Sequence, residues 1–510
     1  MSTSRRTFIF TGAAIAASTT IAALRPRVFA GGSDGDLGPG DLRELRKRFG
    51  ARVFLRGDAE WEAVRKIRNR DFDGVHPRAV VFARTVEDVR DAIGWARAAG
   101  VAVVPRGGAH SYTGQSTTEG LVISLVHMAE TQVDKAAMTA EIGAGAILAD
   151  VNVGLLKADV GLPTGSCPSV GVAGLTLGGG IGFSSRKWGL MCDNLTGVTV
   201  VMADGRVVVG GREPGECAET LWMHQGGGGG QFGIVTSLRF GVHPVEPISQ
   251  YSVKWPWRDA DRVLKVWQEL ATAAPDELFS VCMLARGKTE PQILSHGRYF
   301  GSPAALKRLL EPLLGVAKPL KAPQIYASTM WKSHVTAPDC WPDPSVCHSW
   351  NHPQPGRYKQ ASYSVKSDYF DRLFSDDARA ELIRGIEGIQ KQRIQWGGII
   401  LDALGGAIGR PAPGDTAWVH RKNLIQAEYV AHWGASTPSS AVAANRAWLR
   451  EFYAAMRPHA SGECYQNYPD LDRKDWAAAY YGGNLERLKR CKAAIDPSGL
   501  FRGPQSLADA

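Results

Sequence analysis

Two side chains able to act as nucleophiles stand in separate glycine-rich stretches. His110 lies in Arg106-Gly107-Gly108-Ala109-His110-Ser111-Tyr112. Cys167 lies in Gly165-Ser166-Cys167-Pro168-Ser169-Val170-Gly171, which continues through Gly174, Gly178, Gly179 and Gly182. Glycine loops let backbone N–H groups close on a bulky anion such as a pyrophosphate. An imidazole in one loop and a thiol in the other could then tether whatever is bound. A third capable segment is Tyr465-Gln466-Asn467-Tyr468, where an extended chain would put Tyr465 and Asn467 on one face. A free phenol has a pKa of about 10 and acts as a base only where charge or donors stabilise its anion. Nothing next to Tyr465 in sequence supplies a charge. Tyr112, two residues past His110, is expected to line the same site. Gln426 and Glu428 should share a face of a strand over 423–433, where Glu428 is either a site carboxylate or a solvated one.

The elements that must position these groups alternate early in the chain. Residues 79–85 read as a strand, and Val86, Val89, Ile93 and Ala96 give helical spacing to Val86–Ala99 with Gly100 as a stop. A strand over 101–105 then delivers His110 just past a strand end, a usual place for ligand contacts. Further strands are expected over 121–125, 138–145 and 195–209, the last folded at Asp204-Gly205. Gly228, Gly230 and Gly233 satisfy GxGxxG, but β-branched IVTSLRF follows where a Rossmann site needs a helix. The run at 178–182 lacks the Gly-Lys-Ser/Thr ending of a phosphate-binding P-loop. Pro244 and Pro247 mark a change of character, and ten of the fifteen tryptophans fall between 250 and 455. Helices are expected over Asp259–Ala273 and Ala441–Met456.

With 510 residues the chain exceeds one ordinary core. We expect a signal segment over 1–30, a leader and helical segment over 31–74, domains over 75–245 and 246–456, and a C-terminal segment over 457–510. Arg5-Arg6 followed by an apolar run from Gly12 to Leu24 fits a twin-arginine export signal with cleavage after Ala30. That run is short for a membrane span of about 20 residues. Four of the arginines behind the net charge of +9 (Arg5, Arg6, Arg25 and Arg27) fall in this segment, and no Lys/Arg run points to nucleic acid. Eight cysteines without CxxC spacing predict no metal site; Cys340 and Cys347 could pair after export.

The histidine and cysteine motifs resemble those of the berberine bridge enzyme-like flavoproteins, in the vanillyl-alcohol oxidase (p-cresol methylhydroxylase-type) superfamily. The resemblance covers roughly 75–245 and 460–506. It implies an α+β fold of two domains, the second built on an antiparallel sheet flanked by helices. It also implies FAD bonded through His110 to the flavin 8-methyl carbon and through Cys167 to the 6-position. The glycines named above would line that FAD, with Ile234 and Val235 facing adenine and Asn467 near the flavin. Tyr465 would be the base, with Tyr112 and Glu428 beside the substrate. Two departures stand out: Ala109 replaces the usual second glycine, tolerable if its φ is negative, and Leu175 replaces a frequent histidine. Val170 fits oxidase rather than dehydrogenase behaviour.

The expected protein is an exported FAD oxidase, loaded before passage through the twin-arginine translocase. It would move hydride from a C–OH of an oligosaccharide or related alcohol to flavin, then to O2, giving H2O2. Phenolic or glycosylated secondary metabolites are the alternative substrates, and a non-catalytic exported flavin-binding protein is the alternative of another class.

Overall fold

A computed structural model describes residues 39–334, 343–348, 356, 360–392 and 394–510. The expected export signal and Cys340 lie outside the described residues. The first lobe is built on two main sheets. Strands β1 (Val53–Leu55), β2 (Ala79–Phe82), β3 (Val103–Arg106) and β4 (Leu121–Ser124) lie in the order β1-β2-β4-β3, with β2 and β3 both parallel to β4. The crossover from β2 to β3 is the expected helix, Val86–Ala99. Thr85 caps it by accepting from the Asp88 N–H, Gly100 ends it at φ 67°, and Val89, Ala92, Ile93 and Ala96 are buried.

Strands β5 (Thr131–Asp134), β6 (Thr139–Gly143), β7 (Leu195–Val201), β8 (Val207–Gly211) and β9 (Ile234–Gly241) form an antiparallel sheet in the order β5-β6-β9-β7-β8. The hairpin between β7 and β8 turns at Gly205 as its Asp-Gly pair predicts. The GxGxxG run feeds β9, a strand, so the Rossmann pattern is a coincidence of glycines. One apolar core joins both sheets, from Val81 and Ile93 to Leu238 and Phe240.

The second lobe is a seven-stranded antiparallel sheet. Its strands are β10 (Ile248–Trp255), β11 (Leu278–Ala285), β12 (Gln292–Tyr299), β13 (Gln324–Ser328), β14 (Ser362–Phe370), β15 (Trp396–Ala403) and β16 (Ile425–Trp433), in the order β13-β10-β12-β11-β15-β16-β14. Helices Ala260–Ala273, Asp376–Ile389 and Ser439–Met456 cover one face, where Trp255, Trp267 and Trp448 are core residues. Alternation along β16 sends Ile425, Ala427, Tyr429 and Ala431 into that core. Gln426, Glu428, Val430 and His432 therefore face the first lobe.

Residues after 456 return to the first lobe. Helices Trp476–Tyr481 and Leu485–Ile495 pack on Trp222, Met223 and Phe232, and the Val103 N–H donates to Leu500 O at 3.1 Å. A short strap, residues 68–70, joins the lobes from the other side. The Arg68 N–H donates to Ala109 O, Arg70 N–H donates to Ala361 O, and Ala361 N–H donates to Arg68 O, each at 3.0 Å. Between them Asn69 Nδ2 donates to the carbonyls of Tyr112 (3.1 Å) and Tyr363 (3.4 Å).

Candidate functional site

The histidine and cysteine loops come together because two glycines allow it. A Cβ on Gly108 would lie 2.2 Å from Gly171 N, and one on Gly171 would lie 2.3 Å from Gly108 N. Neither distance leaves room for an atom, so only glycine permits this backbone approach. The loops are also joined by side chains, with His110 Nε2 2.9 Å from Ser169 Oγ. Ala109 sits at φ +56°, contrary to the negative value its substitution for glycine required. The strap's bond to Ala109 O pins this left-handed conformation, which costs an L-residue about 1–2 kcal/mol.

Both loops open onto one cavity of about 480 Å³ that runs between the lobes. Gly107, Gly108, Ala109, His110 and Ser111 line it from one side, and Cys167, Val170, Gly171 and Gly174 from the next. Gly228–Gly230, Val235 and Asn467 complete the part in the first lobe. Cys167 is exposed there. Burial, then the nearby Arg68 guanidinium, holds the His110 imidazole well below its usual pKa, so the ring is neutral.

Seven expected cofactor residues stand behind the wall instead of in it. Arg106 is fully buried and donates to the carbonyls of Val64, Arg65 and Ser116, so it shapes the loop from beneath. Gly178, Gly179 and Gly182 admit Asn467, Trp418 and the Thr164 carbonyl against the backbone. Pro168 O accepts from Ala149 N–H, Ser169 holds His110, and Ile234 is buried in β9 against Val201.

The second lobe supplies the opposite wall from β14, β15 and β16: Tyr363, Val365, Trp396, Ile400, Glu428, Val430 and His432. Glu428 is not a solvated strand carboxylate. It is 8% exposed and accepts a hydrogen bond from the Tyr112 hydroxyl at 3.0 Å. Burial raises its pKa to about 7, against the lowering effect of that bond. Tyr112 stacks on Tyr468 at 5.6 Å and meets the edge of Tyr363 at 5.2 Å.

Tyr465 is placed differently from expectation. The chain turns at Gln466 and Asn467, with Tyr468 N–H bonded to Tyr465 O, so the segment is not extended. The ring of Tyr465 enters a buried cluster with Leu190, Tyr369, Leu404 and Trp418. Its hydroxyl accepts from Gly180 N–H at 2.9 Å and from Asn467 Nδ2 at 3.0 Å. Asn467 also donates to Leu175 O at 2.9 Å, and so ties the tyrosine to the cysteine-loop helix. Burial drives the Tyr465 phenol far above its usual pKa despite those donors. Tyr468, three residues on, lines the cavity in its place. It stood in the quoted motif, and only the turn reveals that it takes the front position. Tyr363, Trp396, His432 and Arg68 also line the cavity and carried no local motif.

Residues 77–211 match the family described as FAD binding domain, and 464–508 that described as berberine and berberine like. An uncharacterized FAD-linked oxidoreductase YgaK of Bacillus subtilis is 32% identical over 468 residues, covering 89% of this chain and 96% of that protein. A xylooligosaccharide oxidase of Thermothelomyces thermophilus is 29% identical over 488 residues, covering 92% and 94%. Among solved structures, Physcomitrella patens BBE-like 1 superposes with a TM-score of 0.81 at 30% identity over 91% of this chain and 98% of that one. The fold is thus the α+β, p-cresol methylhydroxylase-type FAD-binding fold, and the chain is an FAD-linked oxidoreductase. It belongs to the berberine bridge enzyme-like family.

The cavity suits FAD on its own features. Glycine backbone from three loops faces one continuous space, and the neutral His110 and the exposed Cys167 open onto it together. Its single lining carboxylate among the described residues, Glu428, stands on the second lobe's strand and not on a glycine loop. Among those residues no group of His, Cys, Asp and Glu could hold a metal, and no helix is long and apolar enough to cross a membrane.

Proposed function

We propose that this protein is an exported, bicovalently flavinylated oxidase that takes hydride from a C–OH of an oligosaccharide or related alcohol and passes the electrons to O2. The observation that carries this reading is the shared cavity: His110, Tyr112 and Cys167 on the first lobe's loops face Glu428 on the second lobe's wall, with Tyr468 stacked on Tyr112. FAD, held by the glycine loops and bonded through His110 and Cys167, supplies the hydride acceptor. Glu428 receives the hydroxyl proton of the substrate, because its carboxyl titrates near neutral pH, where a general base works best. Tyr112 orients that carboxylate through its hydrogen bond, and Tyr468 packs the reacting carbon against the opposite wall. Tyr465 serves as a positioning residue, holding Gly180 and Asn467. Val170 lines the cavity and would govern access of O2.

The sugar reading draws on the similarity to oligosaccharide oxidases, and stacking rings suit the flat faces of pyranoses. Export through the twin-arginine translocase draws on the sequence pattern and on Cys347, which is disulfide-bonded, as suits an oxidising compartment. The aromatic wall of Tyr112, Tyr363, Trp396 and Tyr468 also suits phenolic or glycosylated secondary metabolites as a second reading. Acid precipitation followed by peptide mass analysis tests the cofactor, with one FAD expected on both the His110 and Cys167 peptides. A peroxide screen with mass analysis of products then divides the substrates. A lactone-derived acid marks the sugar reading; a ketone or new ring marks the phenolic one. Flavin present with no substrate able to bleach it would leave only a binding protein.

A further inference from the structure

We propose that Ser367 is a positioning residue for the reaction: its hydroxyl grips both ends of the turn over 465–468, and that turn holds Tyr468 on Tyr112 and Tyr112 on Glu428. This inference rests on the reading of Glu428 as the base and adds what keeps that carboxylate in working geometry.

Ser367 stands on β14 directly opposite Glu428 on β16. Residues paired in this way point to the same face of the sheet, with Cβ atoms about 4.5–5.5 Å apart. The serine is therefore the base's neighbour, yet its hydroxyl is committed to the chain. Oγ accepts from the Tyr465 N–H at 3.1 Å and donates to Tyr468 O at 3.3 Å. Ser367 is buried, which keeps bulk water from replacing either bond. Cys464 adds a contact beside them, donating from Sγ to Ser367 O at 2.8 Å. First-lobe backbone holds the other side of the turn, through the Tyr465 hydroxyl and Asn467. Ser367 is the second lobe's half of that grip.

What the turn delivers is the Tyr468 ring. It stacks on Tyr112 at 5.6 Å, and the Tyr112 hydroxyl donates to Glu428 at 3.0 Å. If the turn slackens, Tyr112 loses the face it lies on and its bond to Glu428 weakens. That bond is what lowers the Glu428 pKa against burial. Its loss moves the carboxyl upward, so the carboxylate needs a higher pH to form. The Asp402 charge also raises Glu428, and it is the same in every variant below.

The test uses flavin-loaded, full-length protein and reads the titration of Glu428 by infrared spectroscopy, with the carboxyl band assigned by its absence in Glu428→Gln. Ser367→Ala should raise the protonation constant about threefold or more. A purely structural role would reduce the yield of folded protein and leave this midpoint where it is. Tyr112→Phe should raise it likewise, and adding Ser367→Ala to that variant should raise it no further, because the serine acts through the tyrosine. Ser367→Cys, whose thiol bonds weakly, carries the same expectation wherever the alanine variant does not fold. An unmoved midpoint in folded Ser367→Ala or Ser367→Cys would overturn the inference and leave Glu428 as the base, as would a further rise on top of Tyr112→Phe. A wild-type protein with no titration that Glu428→Gln removes would overturn both.

Discussion

Tyr112 and Glu428 are 316 residues apart in sequence, yet the tyrosine hydroxyl donates to the glutamate Oε1 across the lobe boundary at 3.0 Å. One comes from the loop that carries His110, the other from the strand that forms the far wall. This pair forms only when both lobes are assembled.

Glu428→Gln removes the proton acceptor and keeps the shape. We expect kcat/KM to fall by about a hundredfold or more. Because burial raises the Glu428 pKa to about 7, the active carboxylate is lost as pH drops through that value. Wild-type kcat/KM should therefore fall about tenfold per pH unit below this limb, and the variant should lose the limb. A pH profile checks both.

Either tether alone should retain flavin. His110→Ala and Cys167→Ala should each leave colour in an acid-precipitated pellet, and the double variant should release it to the supernatant. Absorbance of the two fractions is the measurement.

Gly108→Ala should abolish the loop contact, since its Cβ would lie 2.2 Å from a backbone nitrogen that cannot move independently. The expected result is loss of bound FAD or of folded protein. Normal yield with full flavin content would contradict the close approach.

Ala109→Gly should stabilise the protein. Relief of the left-handed strain at φ +56° gives about 1–2 kcal/mol, and the added freedom of the unfolded chain removes about 0.4–1 kcal/mol. A net gain of up to about 1.6 kcal/mol would appear in thermal unfolding.

Tyr465→Phe leaves the Gly180 N–H without its acceptor, and should cost about 1–3 kcal/mol of stability. Its activity loss should be smaller than that of Glu428→Gln. A catalytic collapse with unchanged stability would restore Tyr465 to the role of base.

Local signals carried the first lobe well. Thr85 and Gly100 bound a helix whose apolar spacing is plain, and a β-branched run after Gly233 rules out a dinucleotide helix. His110 and Cys167 were legible as cavity residues because histidine and cysteine stand in distinctive glycine loops. Tyr468 was not, because its placement depends on a turn whose partners, Gly180 and Leu175, lie nearly three hundred residues earlier. Arg106 misled for a related reason: its carbonyl partners at 64, 65 and 116 make it a buried brace, which no local pattern announces. Glu428 read as either a site carboxylate or a solvated one, and burial with the Tyr112 bond removes the solvated reading.

The strap at residues 68–70 limits how the substrate arrives. Asn69 grips the carbonyls of Tyr112 and Tyr363, and the bonds on either side of it reach Ala109 and Ala361. A clamshell opening would rupture all of these together, in the very loop that carries His110. The strap thus opposes wide separation of the lobes during turnover. Turnover should be insensitive to solvent viscosity beyond simple diffusion, which kcat measured in graded sucrose solutions would check.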